Sequence, residues 1–93
     1  MKLKKKVKVK NPLGLHTRPA ASIVKILQPR KASVFFIYKS ERVNARSIMS
    51  VLMLAAQKNT SIEIEIEGED AEETMNLLVA AFEDEFGEKN DRK

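Results

Sequence analysis

One stretch of the chain has the residue types and spacing for surface chemistry: Gly14-Leu15-His16-Thr17-Arg18-Pro19-Ala20-Ala21. Position 16 holds the sole histidine. A neutral imidazole is a competent nucleophile, and a histidine in water titrates near pH ~6.5. Arg18, two residues on, carries forked donors suited to the oxygens of a phosphate. If a helix starts at His16 and Thr17, its first backbone N–H groups lack intrahelical acceptors and make an anion site with the helix dipole. The dipole contributes ~0.3–1 kcal/mol at an exposed end, and a hydrogen bond to a charged group roughly 1.5–3 kcal/mol. Such a site holds a phosphoryl group without trapping it. On spacing alone the same residues also fit a surface histidine beside an arginine in an ordinary ion pair, so both readings stay open at this point.

The flanking pattern supplies the helix. Asn11-Pro12-Leu13-Gly14 reads as a loop. Ala20, Ile23, Val24 and Leu27 recur at i, i+3, i+4 and i+7, one apolar helical face. Pro19 fits the first turn, and Pro29 is expected to end the helix by pushing Gln28 out of the α region.

Before the loop, Leu3, Val7 and Val9 alternate with Lys4, Lys6 and Lys8, a half-buried strand in which Lys5 breaks the pattern. Ala32–Tyr38 is rich in β-branched and aromatic residues and predicts a second strand. Lys39-Ser40-Glu41 reads as a hairpin turn and Arg42–Ala45 as a short third strand. Ser47–Leu54 predicts a short helix with Ser47 as N-cap, followed by a polar turn at Gln57–Thr60. Ile62, Ile64 and Ile66 alternate with Glu63, Glu65 and Glu67 as a fourth strand, ended by Gly68. Asp70 and Glu73 resemble a capping box, opening a helix whose stripe is Met75, Leu78, Val79, Phe82 and Phe86. The order βαββαβα predicts an α+β, two-layer open-faced sandwich: a four-stranded antiparallel sheet covered on one face by three helices. Residues 1–87 are expected to form one domain and 88–93 a frayed tail.

The 93 residues allow one domain with a modest core. Chemistry is expected at the surface, with a partner supplying part of the machinery. The absence of cysteine excludes a disulfide framework and a thiolate metal site, and a single histidine excludes a multi-histidine metal site. No apolar run approaches the ~20 residues of a membrane span, and the lysine-rich start lacks the apolar segment of a secretory signal. A cytoplasmic protein is expected, with no metal, no cofactor and no membrane insertion. The net charge of +4 permits nucleic-acid binding. However, if the first and last strands pair, Lys4, Lys6 and Lys8 can face Glu63, Glu65 and Glu67, and the lysine strand carries no aromatic residue. No nucleic-acid partner is expected.

The motif around His16 resembles the active site of the HPr family, the histidine phosphocarriers of the bacterial phosphoenolpyruvate:sugar phosphotransferase system. The likeness continues through Asn44-Ala45-Arg46-Ser47-Ile48-Met49 and runs to about Phe86. The resemblance implies a carrier that is not itself an enzyme. Enzyme I, charged from phosphoenolpyruvate, would pass a phosphoryl group to Nδ1 of His16, and the carrier would pass it to an enzyme IIA domain in sugar uptake. Arg18 and the amides of Thr17 and Arg18 would stabilise the phosphate. Ser47 falls on the family's regulatory serine, which implies an HPr serine kinase/phosphorylase as a further partner. Leu15, Thr17, Ala20, Ala21, Ile48, Met49 and Met53 are expected to form the partner surface, where small residues allow close approach and methionines adapt to several partners.

Ala55 departs from the glycine that many sugar-branch members have after the second helix. Val51-Leu52-Met53-Leu54 and Phe82-Glu83-Asp84-Glu85-Phe86 resemble NPr, the nitrogen-branch paralogue. Both branches therefore stay open, as does a non-carrier regulator that binds through the same face. Relatives of that last kind lack the active-site histidine that this chain has.

Overall fold

The strict alternation of isoleucine and glutamate in residues 62–67 can be satisfied only by a strand with one dry and one wet face. The computed structural model, which describes residues 1–91, places it inside a sheet. The strands are β1 (Lys2–Lys8), β2 (Ser33–Tyr38), β3 (Glu41–Asn44) and β4 (Ser61–Glu67), in the order β1-β4-β2-β3, with every neighbouring pair antiparallel. The helices are α1 (Thr17–Leu27), α2 (Ile48–Met53) and α3 (Ala71–Glu83), and a segment of 3-10 turns, Glu85–Asp91, kinked at Phe86 and Gly87, follows. This is the expected open-faced βαββαβα sandwich.

The dry face of β4 meets the helices. Ile62, Ile64, Ile66, Phe36, Ile23, Leu27, Leu78 and Phe82 are all fully buried. Each such side chain stabilises the fold by roughly 1.5–3 kcal/mol relative to its exposed state. Phe36 of β2 meets Phe82 of α3 edge to face at 5.8 Å, joining the two layers.

On the other face the lysine–glutamate pairing forms with a shifted register: Lys2 faces Glu67, Lys4 faces Glu65 and Lys6 faces Glu63, while Lys8 meets Ser61. Glu65 is buried there. It accepts from Arg42 Nη2 at 2.7 Å, with Lys4 at 3.6 Å and Lys2 at 3.9 Å. Arg42 also stacks on the Phe35 ring at 3.8 Å. Lys5, the break in the pattern, stays exposed because β1 is an edge strand.

Four local expectations need correction. Gln28 keeps α-helical angles (φ −51, ψ −48), so Pro29 ends α1 by lacking an N–H donor and not by displacing Gln28. Asp70 precedes α3 but makes no cap bond; the backbone amides of Lys31 and Ala32 donate to its carboxylate, each at 2.9 Å, and so use both oxygens. Phe86 is not on the α3 stripe. The chain reverses through Glu85, Phe86 and Gly87 (φ +54, +53 and +83), and this turn lays Phe86 on Phe82 at 4.8 Å. The expected fraying from Glu88 onward also fails for Glu88, whose carboxylate is held by the His16 region; Arg92 and Lys93 lie outside the described residues.

Candidate functional site

Gly14 sets the approach to His16. Its amide donates to Asn11 O at 2.9 Å, closing a tight turn, and its φ is +70. A Cβ here would stand 2.3 Å from Ala56 O, so only glycine fits. The next amide, Leu15 N–H, donates to Ala56 O at 3.0 Å and anchors the loop to the chain just after α2. His16 then takes extended angles (φ −81, ψ −166) as N-cap of α1, and Ala20 N–H donates to its carbonyl at 3.0 Å. Thr17 and Arg18 fill the first two helical positions. Pro19 fills the third, where an N–H would have no intrahelical acceptor.

The imidazole of His16 makes no cap bond. It points instead to Glu88, with Nε2 2.9 Å from one carboxylate oxygen and 3.1 Å from the other. The Glu88 side chain is only 12% exposed. Asn11, fully buried, donates from Nδ2 to Glu88 Oε1 at 2.5 Å and to Glu85 O at 2.9 Å. Arg18 Nη1 lies 4.0 Å from the same carboxylate, and its side chain is 64% exposed, within reach of an incoming anion. Nδ1 is thus the ring nitrogen that Glu88 does not occupy.

The structure brings His16, Thr17 and Arg18 together at one end of α1. It places Ser47 elsewhere. Arg46, the residue before Ser47, donates to Leu27 O, Arg30 O and Ala32 O at 2.6–2.7 Å, at the C-terminal end of α1. The chain after α2 meets Leu15, before the N-terminal end of α1. Helices α1 and α2 therefore run antiparallel, and Ser47 sits at the end away from His16. Ser47 does cap α2, its hydroxyl accepting from Ser50 N–H at 3.2 Å.

The expected partner surface needs correction at two residues. Leu15 is 4% exposed and Ala20 is fully buried; both pack in the core because they fall on the inner side of the loop and of α1. Thr17, Ala21, Ile48, Met49 and Met53 are exposed. The sequence reading missed Leu13, which is as exposed as Met53 (77%), and it missed Asn11 and Glu88. Gly87 after a helix was a usable signal for a reversal that turns Glu88 back toward the fold. Among the described residues no cluster of His, Cys, Asp or Glu could hold a metal ion, and no helix is long and apolar enough to cross a membrane.

A two-layer sandwich that presents its one histidine at a helix start, with the Arg18 guanidinium and the Glu88 carboxylate beside it, has the form of a protein that carries a group on its surface. Comparison with known proteins places it further. Residues 3–84 match the family model described as PTS HPr component phosphorylation site. The phosphocarrier protein HPr of Chlamydia muridarum is 42% identical over 80 residues, covering 86% of this chain and 77% of that protein. HPr of Xylella fastidiosa is 38% identical over 86 residues, covering 92% and 97%. The crystal structure of HPr-C-His from Thermoanaerobacter tengcongensis superposes with a TM-score of 0.87 at 32% identity, covering 91% of this chain and 96% of that one. The chain belongs to the HPr family: it is a phosphocarrier of the phosphotransferase system and not itself a catalyst.

Proposed function

We propose that His16 is the phosphoacceptor, that enzyme I charged from phosphoenolpyruvate donates to its Nδ1, and that an enzyme IIA domain in sugar uptake receives the group. The carrying observation is the imidazole itself: it stands at the α1 N-terminus, unused by the cap, with Nε2 engaged by Glu88 and Nδ1 left for reaction. Both transfers are in-line displacements, in which positioning and charge stabilisation dominate. Arg18 and the amides of Thr17 and Arg18 receive the phosphate oxygens. Thr17, Ala21, Ile48, Met49 and Met53 supply a docking face around the site, to which exposed Leu13 is added. The protein works in the cytoplasm, and phosphorylation of Ser47 by a serine kinase weakens docking.

Incubation with enzyme I and phosphoenolpyruvate should yield an acid-labile, base-stable phosphate. His16→Ala should abolish it, because the chain has no other histidine. Labelling that survives this substitution overturns the assignment. Relative rates from sugar-branch and nitrogen-branch enzyme I decide between the two branches; a faster transfer from the nitrogen-branch enzyme would replace the sugar-uptake role with the regulatory one.

A further inference from the structure

We infer that Glu88 is a positioning residue for His16 that selects which ring nitrogen takes the phosphoryl group. The inference rests on His16 being the phosphoacceptor. Glu88 lies beyond residues 3–84, the part of the chain that the family model matches.

An ionised carboxylate accepts hydrogen bonds and has no proton to give. With both its oxygens within 3.1 Å of His16 Nε2, it requires the proton to sit on that nitrogen. In the neutral ring the lone pair is then on Nδ1, so Nδ1 is the nucleophile. Asn11 fixes the carboxylate in turn. Its Nδ2 binds both Glu88 Oε1 and the Glu85 carbonyl, tying the turn at Glu85–Gly87 to the loop before α1. Asn11 is fully buried and Glu88 nearly so, and a fixed pair of this kind holds both tautomer and ring orientation.

The carboxylate also serves the transfer itself. As Nδ1 forms the N–P bond, the bond from phosphorus to the donor breaks and its electron pair leaves with the donor. Nε2 keeps its proton throughout, and the ring gains positive charge. Glu88 faces that charge across a 2.9 Å hydrogen bond. Arg18, 4.0 Å away on the same carboxylate, is the neighbouring cation that can turn to the phosphoryl oxygens.

The test uses the full chain and a small donor, so that no docking partner imposes the geometry. Phosphoramidate transfers its phosphoryl group to imidazole with release of ammonia. Wild-type protein should give the Nδ1 phosphoimidazole, identified by phosphorus and nitrogen NMR, and the unphosphorylated neutral ring should show the Nε2–H tautomer. Glu88→Gln keeps the size of the side chain but can donate as well as accept, so it tolerates either tautomer. Both Glu88→Gln and Glu88→Ala should yield a mixture of ring isomers and a mixed tautomer signature, with the amide spectrum otherwise preserved. An Nδ1-only product and an unchanged tautomer in Glu88→Gln would overturn the role of Glu88, whatever Glu88→Ala does. That outcome would leave the His16 assignment intact, because His16 fails separately, by labelling from enzyme I that survives His16→Ala.

Discussion

Ala55 takes φ +52 immediately after α2, where its amide donates to Leu52 O at 3.0 Å. A left-handed conformation costs an L-residue with a Cβ about 1–2 kcal/mol, whereas glycine adopts it freely and loses about 0.5–1 kcal/mol in chain entropy. Ala55→Gly should therefore raise stability by about 0.5–1 kcal/mol, read as a higher denaturant midpoint at unchanged slope. A lower midpoint would show that the alanine methyl group has a packing role. The residue scale is also where the site was most and least legible. His16, Thr17 and Arg18 are consecutive, so a helix start between Gly14 and Pro19 brings them together without any tertiary contact. Glu88 reaches His16 across 72 positions of sequence, and no local pattern encodes such a contact. Its neighbours Lys89, Asn90 and Asp91 read as a solvated end. Leu15 and Ala20 mislead for the opposite reason: closeness in sequence to His16 does not decide which way a side chain points.

Among the elements, the cations that β1 and β3 bring to Glu65 of β4 make the sheet's outer face sensitive to acid. Glu65 is held below its ordinary value of 4.5, first by the hydrogen bond from Arg42, then by the charges of Lys2, Arg42 and Lys4 acting against the opposing effect of burial. A carboxyl with a depressed folded-state pKa stabilises the fold above its unfolded value, and that contribution disappears as pH falls through the folded one. Melting temperature should thus drop as pH is lowered below about 4.5. Arg42→Ala should lower it at pH 7 and flatten the acid-side fall. An identical pH profile for the two proteins would remove Glu65 from the account. Alternation alone made these strands legible, since period 2 with lysine or glutamate at each wet position leaves no other element. The register was not, because having Lys2, and not Lys8, face a glutamate depends on where the chain leaves β4, at Gly68, whose amide donates to Met1 O at 3.0 Å. The Asp70 cap failed on the same ground: two backbone amides from the loop after α1 compete for its carboxylate, and they win.

At the scale of the whole molecule, the antiparallel packing of α1 and α2 separates His16 from Ser47, the two residues proposed to carry phosphate. His16 stands at one end of the pair, and Ser47 at the other, beside the Arg46 clamp on Leu27, Arg30 and Ala32. On the proposed reading, a charge on Ser47 acts on transfer through the docking face to which exposed Ile48 and Met49 are assigned, and not by touching the imidazole. Ser47→Asp separates these routes. Aspartate is a good N-cap and can accept the Ser50 amide as the serine does, so stability should change by no more than about 0.5 kcal/mol. Transfer from enzyme I should fall about tenfold, equivalent to ~1.4 kcal/mol lost in docking. Labelling of His16 by phosphoramidate should proceed at the wild-type rate, because that small donor needs no docking face. Transfer from enzyme I at the wild-type rate would remove Ser47 from regulation. A parallel loss with both donors would place its effect within the His16 site, contrary to the separation imposed by the antiparallel helices.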